Sequence, residues 1–261
     1  MNLSLLHKNA LVGGAGAGIG RAVAIELATL GANVTLMART ESALQSAVAE
    51  LDISQGQQHG YLVVDFSDIA GLEAAVRQLL ETQSVHILVN NTGGPPGGPI
   101  TAAPSAAFEQ AFHNHLLCNQ SLAQAVLPGM QAAGYGRIVN VISTSVKEPL
   151  ENLGVSNTTR WAVAAWAKTW AGEVGRYGIT VNNVLPGFTN TGRLQEIIEK
   201  RAAAGQIAQE AVAEQFRLQV PLRRFAEPAE VAAAVAFLAS PAAGYISGIN
   251  LPVDGGRTRS L

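Results

Sequence analysis

Short runs of apolar and β-branched residues alternate with longer alanine-rich stretches along most of this chain. The short runs, read as strands, fall at 10–12, 34–37, 61–64, 87–89, 137–141, 180–182 and 250–253. Helical spacing occupies 18–30, 41–52, 68–82, 105–133, 155–176 and 227–239. Strands that are apolar at nearly every position, each followed by a helix, indicate a parallel sheet covered on both faces. The pattern predicts an α/β fold: one doubly wound (Rossmann) domain with a seven-stranded, mainly parallel sheet. The stretch 191–218 interrupts the rhythm and reads as a helical insertion before the last βα unit. In such folds an insertion at the carboxyl edge lies beside the ligand crevice.

Composition narrows this picture without redirecting it. The chain has 261 residues, 48% hydrophobic and 14% charged. No Ser/Gly/Pro tract, charge block or low-complexity run divides it, so one domain over 1–261 is expected. The net charge is −2 with both signs interspersed, which argues against a nucleic-acid partner. The opening MNLSLLHKNALVGG runs straight into a strand pattern and predicts no cleavable leader. The longest uncharged helical stretch, 116–134, carries Asn119, Gln120, Gln124, Pro128 and Gln131, too polar for a membrane span. Cys118 is the sole cysteine and reads as a small buried hydrophobe. A soluble cytoplasmic protein is expected, with no metal site.

The first strand runs into Gly13-Gly14-Ala15-Gly16-Ala17-Gly18-Ile19-Gly20, which opens the first helix. Glycines there permit a tight turn and close backbone approach, and the free N–H groups of the helix start face an anion. Gly14, Gly16, Gly18, Ile19 and Gly20 are therefore candidate pyrophosphate-binding positions. The second strand ends at Ala38-Arg39-Thr40. A carboxylate there would accept the ribose hydroxyls of NAD; Arg39 instead suits a 2′-phosphate, which favours NADP(H) over NAD(H).

These residues resemble the short-chain dehydrogenase/reductase family over nearly the whole chain. Gly14-x-x-x-Gly18-x-Gly20 is similar to its cofactor turn. Asp65, followed by Phe66, matches its adenine contact, and Asn90-Asn91-Thr92-Gly93 resembles its Asn-Asn-Ala-Gly segment, which adds Asn91 and Gly93. Pro186-Gly187-Phe188-Thr189-Asn190-Thr191 resembles its Pro-Gly motif beside the nicotinamide, which adds Pro186, Gly187, Phe188 and Thr191. The family usually has Thr where this chain has Gly13. The resemblance places the catalytic serine at Ser143. Thirteen residues on, where the family has its tyrosine, stands Ser156; where it has lysine, stands Arg160. Counting back from Val126-Leu127-Pro128-Gly129-Met130, the family's asparagine position falls on His115. Together with Gly93-Gly94-Pro95-Pro96, Val146-Lys147-Glu148-Pro149 and the tail 254–260, this resembles an atypical subgroup similar to 3-oxoacyl-(acyl carrier protein) reductase.

The resemblance implies hydride transfer between NADP(H) and a carbonyl or alcohol of moderate size, such as a 3-oxoacyl thioester. Ser143 can donate to a substrate oxygen. Arg160 can reach the ribose hydroxyls but cannot shuttle protons, its pKa lying above about 12. Ser156 is too short and too weak an acid to replace a phenol of pKa about 10. His115, titrating near pKa ~6.5 if unperturbed, could protonate an oxyanion directly or through water. A helix histidine satisfied by a backbone carbonyl is the alternative. Lys147 is a second candidate donor, against a solvated loop lysine. His113 is expected to face solvent or a neighbouring helix. All three tryptophans, Trp161, Trp166 and Trp170, lie on one helix and read as core or interface packing. The family pairs subunits through this helix and the long one before it, which implies a homo-dimer or homo-tetramer. Two other functions stay open: a nucleotide-binding protein with little redox activity, such as a cofactor sensor or partner subunit, and a non-redox enzyme. Haloalcohol dehalogenases, which also use arginine in place of the lysine, illustrate the latter; they keep the tyrosine and fill in the cofactor turn.

Overall fold

A computed structural model describes residues 1–260; Leu261, the last residue of the expected domain, lies outside the described residues. The strands are β1 Asn9–Gly13, β2 Asn33–Ala38, β3 Gly60–Val63, β4 Ile87–Asn90, β5 Gly136–Val141, β6 Ile179–Pro186 and β7 Asn250–Val253. They form one sheet in the order β3-β2-β1-β4-β5-β6-β7, and every pair is parallel. The order reverses between β1 and β4, so a crevice opens at the carboxyl ends of these strands.

The helices are α1 Gly18–Thr29, α2 Glu41–Val48, α3 Ile69–Leu80, α4 Ser105–Phe112, α5 Cys118–Ala133, α6 Gly154–Val174, α7 Gly192–Gly205, α8 Gln209–Leu218 and α9 Pro228–Ala239. Buried side chains alternate along each central strand and feed two cores. Val12, Val34, Val89 and Val139 join Val23, Leu27, Val231 and Val235 from α1 and α9. Leu11, Leu88, Ile138 and Val181 join Leu72, Val76, Leu122 and Val126 from α3 and α5. This two-sided burial explains why the strands read as continuous apolar runs.

Three elements differ from expectation. Strand β6 extends to Pro186, four residues beyond the predicted 180–182, and carries the chain to the crevice. Helix α2 stops at Val48 rather than at 52. The predicted continuous helix 105–133 is interrupted by a π-helical turn at His113–Leu117, between α4 and α5. A wide turn of this kind inserts an extra residue, which swings the side chain at 115 inward. The insertion 191–218 forms α7 and α8, which close on a small core of Leu194, Ile198, Val212 and Phe216 with Phe188 and Phe225. No helix among the described residues is long and apolar enough to cross a membrane.

Candidate functional site

The glycine turn is shaped by what glycine lacks. Gly14 and Gly18 take left-handed backbone angles, φ +58° and +56°. A Cβ on Gly20 would lie 2.3 Å from the Gly14 carbonyl and 2.7 Å from the Asn91 amide. Asn91 holds the turn from the other side, its Nδ2 donating to the Gly13 carbonyl at 3.1 Å. Helix α1 begins after Ala17 with no side-chain cap, which leaves its first N–H groups to the crevice. Beside it lies a cleft of about 270 Å³ lined by Gly14, Gly16, Ala38, Arg39, Phe66 and Gly93, among others.

Arg39 is exposed at that cleft and forms none of the ion pairs found among the described residues. The Asp65 carboxyl is held below its usual range mainly by the Ser67 backbone N–H, 2.9 Å away, with the Arg39 charge contributing. An open glycine cradle with an uncapped helix start and an adjacent free guanidinium fits a dinucleotide carrying a 2′-phosphate. Pro186 ends β6 against Val253, and the Gly187 N–H donates to the Val253 carbonyl at 3.0 Å. The Phe188 ring is committed elsewhere. It stacks on Phe216 at 4.6 Å and takes the Arg257 guanidinium on a face at 4.4 Å, so its backbone, not its ring, is what remains for a cofactor. Thr191 caps α7, accepting from the Leu194 N–H at 3.4 Å, and its methyl lies 3.3 Å from where a Gly18 Cβ would sit.

Beyond Gly93, the next residue, Gly94, lies against Arg160: a Cβ there would be 3.7 Å from the guanidinium Nη2. Ser143 follows β5 in extended conformation, and its Oγ accepts from the Ser145 N–H at 3.1 Å, which leaves its own O–H to donate. Lys147 closes the short turn that Ser143 opens. Trp161 is 49% exposed, yet its indole N–H donates to the Ser145 carbonyl at 2.8 Å and ties α6 to this turn. Ser156 is half-buried one turn before Arg160 on α6.

Arg160 is 7% exposed. Its Nη1 donates to the Val141 carbonyl at 3.3 Å, while its buried Nε has no partner. Burial lowers its pKa to about 10, and no acidic side chain among the described residues offsets that. His115, carried inward by the π-helical turn, is 2% exposed, and its Nδ1 lies 2.6 Å from the Thr92 hydroxyl. Its pKa falls to about 2, through burial first and the Arg160 charge second. Titration near neutrality, expected of a free imidazole, is therefore overturned, and its partner is a hydroxyl rather than a backbone carbonyl. His113 is half-buried, in a turn packed against α6, and its Nε2 is buried without a hydrogen-bond partner. Trp166 and Trp170 both donate to the side-chain amide oxygen Oε1 of Gln120, at 2.7 and 2.9 Å, and tie α6 to α5.

Thr92 was not singled out by its sequence context, because a lone threonine in a loop carries no signal until the π-helical turn brings His115 to it. No cluster of potential metal ligands occurs among the described residues.

Residues 14–258 match a family described as enoyl-(acyl carrier protein) reductase. The chain is 34% identical over 257 residues to 3-oxoacyl-[acyl-carrier-protein] reductase FabG of Vibrio cholerae, covering 97% of this chain and 98% of that one. It is 32% identical over 262 residues to 7alpha-hydroxysteroid dehydrogenase of Escherichia coli, covering 100% and 98%. Among solved structures, L-sorbose reductase from Gluconobacter frateurii, complexed with NADPH and L-sorbose, superposes with a TM-score of 0.93 at 29% identity over 100% of both chains.

Proposed function

The chain belongs to the short-chain dehydrogenase/reductase family, and from that premise we propose that it is an NADP(H)-dependent oxidoreductase acting on a carbonyl or alcohol. The observation that carries this reading is the glycine cradle of Gly14, Gly20 and Asn91 beside an open cleft that runs from Arg39 to Gly93. Gly14, Gly16, Gly18, Ile19 and Gly20 would hold the pyrophosphate, and Arg39 the 2′-phosphate. Asp65 and Phe66 would meet the adenine. Asn91, Gly93, Arg160, Pro186, Gly187, Thr191 and the Phe188 backbone would frame the nicotinamide half. The cofactor supplies or takes the hydride; the protein binds, orients and handles the proton.

Ser156 and Arg160 stand in this proposal where the family has its tyrosine and lysine. Ser143 donates to the reacting oxygen. Arg160 lends fixed positive charge, which stabilises an oxyanion without giving up a proton. His115 remains neutral and acts through its N–H and through Thr92, not as an imidazolium; Lys147 is the second candidate donor. Absence of a phenolic acid slows such a reaction by about 10²- to 10⁴-fold, so modest turnover is expected. Helices α7 and α8 would cover the substrate, and the chain would work as a soluble, cytoplasmic homo-dimer or homo-tetramer. Exposed Leu117, at the start of α5, and Trp161 on α6, 50% and 49% accessible, support pairing along these helices.

Calorimetric titration tests this reading: NADPH is expected to bind in the micromolar range and more tightly than NADH. Binding of neither removes the proposal. Tight NADPH binding without turnover on any carbonyl would favour a cofactor sensor.

A further inference from the structure

Buried charge carries a cost that a structure must offset. Moving a guanidinium out of water costs several kcal/mol unless an opposite charge or a full set of acceptors meets it. Other cations of this chain meet that need. Arg137 is as buried as Arg160, but its Nη1 donates to the carbonyls of Gly136 and Gly178, and its Nε to that of Ser240. Arg21, Arg193, Arg217 and Arg224 each pair with a glutamate. Arg160 has one acceptor, the Val141 carbonyl.

The way Arg160 is held decides which of its edges is left. Nη1 is engaged at the end of β5. Nε is buried and unpartnered. Nη2 lies under the Gly94 segment, 3.7 Å from where a Cβ on Gly94 would be, and makes no hydrogen bond among the described residues. Nε and Nη2 point their N–H bonds in parallel along one edge, the fork that accepts a carboxylate through two hydrogen bonds. Ser156 stands one turn before it on α6, and neutral His115 lies close enough to feel its charge; both are able to donate. Neither brings negative charge. The ribose hydroxyls of a dinucleotide are neutral, and its phosphates would lie at the glycine turn, so neither would balance this cation.

We infer that the Nε–Nη2 edge of Arg160 is a carboxylate-binding subsite, and that the substrate is an oxo or hydroxy acid bearing a free carboxylate within a few carbons of the reacting carbon. The inference rests on the oxidoreductase reading and sharpens its substrate class, from carbonyl compounds at large to anionic ones and away from neutral thioesters.

The test is binding of 2-oxobutanoate, 3-oxobutanoate and 4-oxopentanoate, each against its methyl ester, to NADPH-loaded protein, read by the fluorescence of bound NADPH. At least one acid is expected to bind ten-fold or more tightly than its ester. Measured at NADPH concentrations that saturate each variant, Arg160→Met should abolish that preference and Arg160→Lys should keep part of it. Equal binding of acid and ester throughout would overturn the inference and leave the oxidoreductase reading standing. A preference that survives in Arg160→Met would overturn it too, by placing the carboxylate elsewhere. Failure of the unaltered protein to bind NADPH at all would instead remove the reading beneath it.

Discussion

His115 shows how the surroundings of one side chain set its chemistry. An imidazole in water is half charged near pH 6.5, but burial and the nearby Arg160 guanidinium lower this one to about 2. The unfolded chain therefore binds a proton that the folded chain refuses wherever the pH lies between those values. Stability rises with pH across that window and is lost as pH falls below about 6.5. At pH 5 the loss from this group is on the order of 2 kcal/mol. Half-buried His86, its pKa also lowered by burial, adds in the same direction. Denaturant melts at pH 5 and 7.5 check this: His115→Gln should shrink the stability difference between the two, and an unchanged difference would show that His115 is not the group refusing the proton. Turnover gives a second measurement. His115→Ala should remove most of it if the histidine and Thr92 carry the proton, and unaltered rates would dismiss that role. Gly20→Ala, whose methyl would press on the Gly14 carbonyl, should weaken NADPH binding at least about ten-fold.

At the scale of elements, four strands are joined by a ladder of asparagines. Asn90, Asn140, Asn183 and Asn250 stand in register on β4 to β7. Each Nδ2 donates to the next Oδ1, at 2.8, 2.8 and 2.7 Å. Asn140→Leu would leave the Asn90 amide and the Asn183 oxygen buried and unpaired, a loss on the order of 3 kcal/mol, to be read from the denaturant midpoint. Phe216→Ala should cost about 3–5 kcal/mol within the α7–α8 core, if the cap melts with the rest of the chain. A separate, earlier transition would show that the cap opens on its own.

The same scale shows what the pattern of residues could and could not disclose. Period and composition place β1 to β7 because a sheet buried on both faces has to be apolar throughout. They place the glycine turn because its backbone angles admit few other residues. The π-helical turn leaves no such mark: His113–Leu117 has ordinary helix formers on either side, and its packing partner α6 is remote in sequence. The Thr92–His115 contact and the unpaired edge of Arg160 depend on that turn and on the lie of α6, so spacing alone could not disclose them. The commitment of the Phe188 ring to Phe216 and Arg257 joins parts of the chain that no local motif links.

For the whole molecule, the segment 91–94 joins two features: Asn91 braces the glycine turn, and Gly94 lies against the buried Arg160 guanidinium. On the proposed reading, the first would select the cofactor and the second what the cofactor reacts with. On that reading the chain would couple a nucleotide-binding frame to proton handling by hydroxyls, a neutral imidazole and fixed charge. The most direct test of this account is transfer of deuterium from NADPH labelled at nicotinamide C4 to a panel of carbonyl compounds, followed by mass spectrometry of the alcohols. One deuterium on the carbinol carbon of at least one product, arising from a single face of the nicotinamide, is the predicted result. NADPH that binds tightly and leaves every carbonyl unlabelled would contradict it.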